Sequence, residues 1–260
     1  MINVILVGFG NIGGKRYKIL KDNKNFNVIA IIDKKFKLKT KKLNNLKYLK
    51  NYKDISLISD KIDLAFISTN PKSSYEIAKF LVKKRVNIFI EKPPCETYRK
   101  YKILLNSANK NNLLLKVGFN FIFDSFIQQL NNEIQKLNFG KIYYVDGEYL
   151  YGTSKTNNNY VGSYMDVGIH LIYISNYLFG ELDTSYLYLE NNEIKNKIDD
   201  NGFVLFKSKN NIPIKLKFSL THWENRFNFK VVCEKGMLEV CGLSKWGNQK
   251  LILSKRVYPS

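Results

Sequence analysis

Apolar residues in the first half of the chain come in short unbroken runs, separated by stretches that repeat them every three to four positions. The runs at 3–8, 27–32, 64–68, 87–90 and 113–118 are rich in Ile, Val, Leu and Phe and are too short for helices, so they predict strands buried on both faces. Residues 73–84 and 97–109 space their apolar positions for one face of a helix, which predicts crossover helices covering a parallel sheet. This alternation defines a doubly wound α/β domain over residues 1–119.

From residue 120 the texture changes. A helix is expected over 123–137, then a long strand rich in Tyr and Val over 141–151. An asparagine-rich loop at 153–159 leads to a second helix from Gly162 to Gly180, where glycine is a good terminator. Further strands are expected around Tyr186, Val204, Lys215 and Phe229, the last turning through Lys235 and Gly236 into 237–241, and a final strand ends near Leu253. Runs of strands after helices predict an α+β domain over residues 120–260 with a mostly antiparallel open sheet.

Composition narrows the class. The 260 residues are 45% hydrophobic, enough for one large or two modest domains, with no apolar run long enough to cross a bilayer. The apolar start is broken by Gly8 and Gly10 and no basic region precedes it, so no signal peptide and a soluble cytoplasmic protein are expected. Cys95, Cys233 and Cys241 form no CxxC pair and no even-numbered framework, which points to reduced thiols rather than disulfides or structural zinc.

A formal charge of +20 raises nucleic acid and anionic membranes as partners. The lysines are nevertheless spread along the chain among Asn, Ile, Tyr and Phe, the types favoured by an A/T-rich coding bias. The densest stretch, 34–50, carries no interleaved aromatic motif of the kind that stacks bases. The charge is read as a solvated basic surface, with no specific nucleic-acid or membrane partner. An anionic small molecule such as a nucleotide sugar would benefit from the same field.

Candidate chemistry begins at Gly8-Phe9-Gly10-Asn11-Ile12-Gly13, which follows a strand and opens a helix. Gly8 permits the tight turn, Gly10 lets the backbone approach a pyrophosphate, and Gly13 allows close helix packing, so the amides at the helix start face the anion. Asp33 ends the second strand twenty positions after Gly13, the spacing at which a carboxylate bonds the adenosine ribose. That favours NAD, while Lys34 and Lys35 leave NADP open, because a neighbouring cation could hold its extra phosphate. Glu91-Lys92-Pro93 stands directly after the run 87–90, which places Lys92 at the carboxyl end of a parallel strand, where ligands of open α/β sheets bind. Lys92 reads as the catalytic centre of a nicotinamide-dependent oxidoreductase.

Gly8 to Gly13, Ser68-Thr69-Asn70-Pro71, Glu91-Lys92-Pro93, Gly118-Phe119-Asn120 and Asp166-Val167-Gly168-Ile169-His170 together resemble, in order and spacing, the glucose-fructose oxidoreductase / inositol dehydrogenase family (Gfo/Idh/MocA). The resemblance runs over residues 3–242. It implies a Rossmann domain followed by an α/β domain whose open sheet often forms the oligomer interface, hence a homo-oligomer, dimer or tetramer. The family's catalytic lysine falls on Lys92, and its aspartate and histidine on Asp166 and His170. By the same resemblance Ser68, Thr69, Asn70 and Pro71 line the cofactor site, Glu91 helps to hold the nicotinamide side, and Asn120 lies near the reacting centre.

The physical reading agrees with this assignment. Asp166 and His170 are four apart on one expected helix, so both project from one face. A histidine of near-neutral pKa can accept a hydroxyl proton while Lys92 polarises the same oxygen. Asp166 would orient the imidazole or bond a second substrate hydroxyl. The Asp/His pair also suits a metal, but no third ligand of matching register accompanies it. The other histidine, His222, is read as packing or substrate-proximal.

Three positions depart from the family pattern, which often has histidine at Ser74, arginine at Ile122 and aspartate at Tyr173. The chain is also short for the family. The expected activity is an NAD(P)-dependent interconversion of a secondary alcohol and a ketone on a sugar-like small molecule: a sugar, cyclitol or nucleotide-sugar. The stretch 223–247 resembles members associated with surface-glycan biosynthesis. The altered substrate-side residues and short C-terminus motivate an alternative, a catalytically inactive NAD(P)-binding sensor or regulatory subunit, against which the retained Lys92, Asp166 and His170 argue.

Overall fold

The computed structural model describes residues 1–37, 40–43, 46–152, 161–193 and 198–258, and the chain divides into two compact units, Met1–Gly118 and Phe119–Ser260. The asparagine-rich loop expected at 153–159 lies outside the described residues, as do 38–39 and 44–45 of the lysine-rich stretch.

In the first unit the strands are β1 (Ile2–Val7), β2 (Phe26–Ile32), β3 (Thr40–Leu43), β4 (Leu46–Leu49), β5 (Leu64–Ile67), β6 (Asn87–Ile90) and β7 (Leu115–Val117). They form one sheet of order β3-β4-β2-β1-β5-β6-β7. All pairings are parallel except that of β3 with β4. The helices are α1 (Asn11–Lys21), α2 (Pro71–Lys83) and α3 (Tyr98–Lys110). Val4, Ile5 and Leu6 are fully buried, which is why β1 reads as a continuous apolar run rather than an alternating one.

The β3/β4 hairpin stands where the sequence shows only a basic stretch. Leu46 and Tyr48 alternate with Lys47, and this short pattern is enough to seat β4 against β2. Leu49 is buried, and Leu46 and Tyr48 pack beside Val4, Leu6, Leu20 and Ile31.

The second unit holds β8 (Ile142–Leu150), β9 (Leu182–Glu190), β10 (Asn201–Ser208), β11 (Pro213–Ser219), β12 (Arg226–Cys233), β13 (Gly236–Cys241) and β14 (Lys250–Lys255), with helices α4 (Ser125–Gln135) and α5 (Ile169–Phe179). The sheet order is β14-β13-β12-β8-β11-β10-β9, antiparallel except where β8 meets β11. In β10 the positions Gly202, Val204, Phe206 and Ser208 are buried while Phe203, Leu205 and Lys207 are exposed, the period of two that a sheet covered on one face requires. Leu171, Ile174 and Leu178 of α5 and Ile127 and Leu130 of α4 share the core beneath that covered face.

The other face carries ion pairs in its middle, Lys215 with Asp146 at 3.0 Å and Arg226 with Glu148 at 2.6 Å. Towards β9 it turns apolar: Tyr186 and Tyr188 stand directly opposite Leu205 and Phe203, and all four are exposed. Among the described residues no helix is long and apolar enough to cross a membrane.

Candidate active site

A row of backbone hydrogen bonds aligns the sequence-predicted residues of the first unit along the carboxyl edge of its sheet. The amide of Gly8 donates to Ile32, that of Ser68 to Val7, that of Glu91 to Ile67 and that of Gly118 to Ile90, each at 2.8 or 2.9 Å. Residues up to 60 positions apart thereby become neighbours: Asp33, Gly8, Ser68, Glu91 with Lys92, and Gly118 each continue one strand. From β1 the chain runs to β2 on one side and later to β5 on the other, so the switch point of this sheet lies beside Gly8.

The three glycines of the turn differ in what they do. Gly8 has φ +91°, and a Cβ there would stand 2.5 Å from the Ser68 carbonyl oxygen. At Gly13 a Cβ would meet the Gly8 carbonyl oxygen at 1.9 Å, so glycine is what lets α1 begin against the turn. A Cβ at Gly10 would meet nothing within 4 Å. Sterics of the chain itself leave this position open, as a backbone does that must be approached by a ligand. Gly10 is also the N-cap of α1 and supplies no side-chain bond, so the first amides of the helix are not claimed by a capping side chain. The cradle fits a dinucleotide pyrophosphate.

Asp33 is more than a ribose ligand in waiting. Its Oδ2 accepts from the Phe9 amide at 2.6 Å and its Oδ1 from the Lys35 amide at 2.8 Å. One oxygen ties the glycine turn to the end of β2, and the other shapes the chain carrying Lys34 and Lys35. Along the same edge, Asn70 caps α2 by accepting from the Ser73 amide, and Pro71 takes the first helical position. Ser74, buried, holds Thr69 through a 2.8 Å hydroxyl contact and donates to the Thr69 carbonyl.

Glu91 has a partner that the sequence reading missed. Arg16 on α1 donates through Nε and Nη2 to Glu91 Oε1 at 2.8 and 2.6 Å, and its guanidinium lies 4.9 Å from the centre of the Phe89 ring. A signal for this existed: Arg16 lies three positions after the buried Gly13, so it shares the sheet-facing side of α1 and needs a carboxylate there. Lys92 follows Glu91 directly and precedes Pro93 through a cis peptide bond.

In the second unit Asp166 and His170 are placed by a local irregularity. The sequence predicts one continuous helix, but residues Tyr164–Gly168 form a π-helical turn in which the Ile169 amide donates to the Tyr164 carbonyl, five residues back. Such turns are frequent at functional sites. Asp199 starts this one, accepting from Ser163 Oγ at 2.7 Å and from the Tyr164 amide at 2.6 Å. Gly168 seats it against the sheet, since a Cβ there would come within 3.0 Å of the Phe218 ring.

His170, 8% exposed, stacks on Phe121 with ring centres 4.3 Å apart and planes 15° from parallel. Phe119 stacks on Tyr173 at 4.1 Å, so the 3-10 turn Asn120–Phe123, which begins at Asn120, is held against the face of α5 that carries His170. His222 lies in the turn after β11, where the Glu224 amide donates to its Nδ1 at 3.3 Å.

Three further residues adjoin this group. The ring of Tyr149 at the end of β8 lies 6.1 Å from that of His170 and 5.8 Å from that of Phe121. Burial pushes the Tyr149 phenol well above the usual tyrosine range, helped by the neighbouring Tyr151 and by the charge of Asp166. Lys245 donates from Nζ to the Tyr149 hydroxyl at 2.7 Å and to that of Tyr151 at 2.8 Å. No periodicity in the sequence pairs residue 245 with residues 149 and 151.

Residues 2–119 match the family described as "Oxidoreductase family, NAD-binding Rossmann fold", and residues 127–239 match the "GFO/IDH/MocA C-terminal domain". The first unit is thus an NAD-binding Rossmann domain. No curated protein matches the chain by sequence. Among solved structures, the WlbA dehydrogenase from Bordetella pertussis, in complex with NADH and UDP-GlcNAcA, is similar at a TM-score of 0.84 and 15% identity, over 100% of this chain and 78% of that one. KijD10, a 3-ketoreductase from Actinomadura kijaniata in complex with NADP, is similar at 0.80 and 15%, over 98% of this chain and 84% of that one. At these identities the likeness establishes the fold.

Proposed function

The chain belongs to the Gfo/Idh/MocA family of oxidoreductases, and from this we propose that it interconverts a secondary alcohol and a ketone on a sugar or nucleotide-sugar. The observation that carries the reading is the alignment of Gly8, Ser68 and Glu91 on one sheet edge, with Lys92 next in the chain to Glu91. The second unit adds Asp166 and His170 on adjoining helical turns. Neighbours of the same fold are crystallised with NADH and UDP-GlcNAcA or with NADP, which supports both the cofactor class and the sugar class.

When bound, the nicotinamide supplies the acceptor or donor of two electrons. In the oxidation direction His170 accepts the hydroxyl proton at an imidazole nitrogen as the carbinol C–H bond breaks and the C=O bond forms. Lys92 donates a hydrogen bond to that oxygen and stabilises the charge that develops on it. Asp166, one helical turn before His170, orients the imidazole or bonds a second hydroxyl. The stack on Phe121 fixes the plane of the ring. The carboxylate of Asp33 at the end of β2 favours NAD over NADP by repulsion of a 2′-phosphate.

The exposed Tyr186, Tyr188, Phe203 and Leu205 support self-association through the open sheet. The test of the catalytic reading is Lys92→Met. Turnover on a panel of sugars and nucleotide sugars is expected to disappear while NADH binding stays within about twofold, and equal activity of the two proteins would remove Lys92 from the mechanism.

A further inference from the structure

We propose that Lys245, presented by Tyr149 and Tyr151, is an anchor for an oxyanion of the substrate, a carboxylate or phosphate carried by the sugar that reacts at Asp166 and His170. The inference rests on the reading of those two residues as the substrate side of the site.

The ammonium of Lys245 is fixed rather than free to wander. Besides the two hydrogen bonds to phenol oxygens, it lies 4.7 Å from the centre of the Trp246 ring, 4.9 Å from that of Tyr151 and 5.2 Å from that of Tyr149. Tyr149 and Tyr151 also touch each other, oxygen to oxygen, at 3.1 Å. The long side chain is thus held by two phenol oxygens and the Trp246 ring, an arrangement that removes much of its conformational freedom before any ligand arrives.

The two hydrogen bonds of the ammonium run to phenol oxygens rather than to a carboxylate. Burial holds the Tyr149 phenol protonated, so it is a dipole and not a counter-ion. Among the described residues no carboxylate forms an ion pair with Lys245, whereas two cations of the nearby strands are paired, Arg226 with Glu148 and Lys230 with Glu239. A cation fixed beside aromatic surface and left without a carboxylate gains most from an anion that completes its hydrogen bonds. An ammonium keeps a third donor after two phenol oxygens are served.

Its place in the fold ties this charge to the reacting group. Tyr149 bonds Lys245 at one end and has its ring 6.1 Å from that of His170, with Phe121 against both rings. One aromatic layer therefore carries the imidazole on one side and presents the ammonium on another. Lys245 is exposed, so water meets its charge in the free protein; an acidic sugar or a sugar phosphate would replace that water with an anion, which a neutral sugar cannot do.

The experiment is calorimetric titration of the full chain saturated with NADH, using two matched pairs of probes. UDP-glucuronate against UDP-glucose isolates a sugar carboxylate, and UDP against uridine isolates phosphate. The wild type is expected to favour the charged member of one pair by about tenfold or more, the size of one charge-assisted contact. In Lys245→Met that preference falls to within about twofold, and in Lys245→Arg, which keeps the charge, most of it returns. The pair that responds names the source of the anion. Tyr151→Phe, which keeps the ring and loses one oxygen, is expected to weaken the same preference partially.

Equal affinity for the charged and neutral members of both pairs in the wild type overturns the proposal, as does a preference that survives in Lys245→Met. NADH affinity and melting temperature report whether each variant is folded. A preference that depends on Lys245, in a protein with no turnover on any sugar, would keep the anchor and remove the oxidoreductase reading. Turnover indifferent to Lys245 would do the opposite.

Discussion

Arg16 and Glu91, 75 positions apart, meet in a forked hydrogen bond that joins the helix of the glycine turn to the strand end that carries Lys92. Both side chains are mostly shielded, 21% and 15% exposed, so the pair is neither a surface ornament nor a fully desolvated charge. Its geometric effect is to fix the start of the Lys92 segment relative to the nucleotide turn. In a double-mutant cycle with Arg16→Gln and Glu91→Gln, the coupling is expected to be about 1–2 kcal/mol by chemical denaturation. Arg16→Lys should recover only part of it, since an ammonium cannot reproduce the fork. Coupling near zero would mean that the contact holds nothing.

Gly10 and Gly13 should separate ligand binding from folding. Gly13→Ala forces a methyl to 1.9 Å from the Gly8 carbonyl and is expected to lower the melting temperature sharply. Gly10→Ala meets nothing in the chain and should melt within a degree or two of the wild type, yet bind NADH about tenfold more weakly, because its methyl stands where the pyrophosphate approaches. Fluorescence titration and thermal melts on both variants decide the matter. Unchanged NADH affinity in Gly10→Ala would count against the cradle.

Gly168 sets the position of the π turn through its closeness to Phe218. Gly168→Ala is expected to push that turn off the sheet, lowering kcat by about one to two orders of magnitude while leaving NADH affinity intact. Phe218→Leu in the same chain makes room for the methyl and should return part of the activity. Failure of the second substitution to help would place the defect elsewhere.

Burial raises the Cys95 thiol from an ordinary 9.0 to about 11. A folded-state value above the unfolded one contributes stability that is fully present below pH 9 and lost as pH rises towards about 11. Urea denaturation at pH 8 and at pH 10.5 should therefore show a steeper loss in the wild type than in Cys95→Ala. Identical pH slopes would refute the assignment. The same burial predicts slow alkylation of Cys95 at pH 8 until the protein unfolds.

The apolar end of the second sheet offers a test of self-association. Phe203→Lys with Leu205→Lys places two charges opposite Tyr188 and Tyr186 on the exposed face. Sedimentation is expected to show a lower oligomeric state than for the wild type, with NADH affinity unchanged. The same sedimentation coefficient for both proteins would exclude this face as the interface.

Much of the architecture is legible in the residue pattern because it depends on short-range geometry. Periods of two and of 3.6 residues separate the strands from the helices, and the glycine turn, Asp33 at twenty positions and Glu91-Lys92-Pro93 each sit within or just beyond one strand. The β3/β4 hairpin was hidden, because its few apolar residues, Leu43, Leu46, Tyr48 and Leu49, are interleaved with lysines that read as surface. The π turn was hidden too, since i, i+4 spacing of Asp166 and His170 looks the same whether or not the helix widens before His170.

The sequence by itself determined that a nucleotide-binding turn, a lysine at a strand end and an Asp/His pair are present, since each is a matter of a few consecutive residues. Only the tertiary structure decided which of them become neighbours. Strand order set Glu91 beside Ser68 and Ser68 beside Gly8, helix packing brought Arg16 onto Glu91, and the return of the chain after β13 laid Lys245 against Tyr149 and Tyr151. The reason is physical: spacing encodes the direction of a side chain from its own backbone, whereas contact between distant residues depends on how sheets are ordered and helices packed, which no local period records.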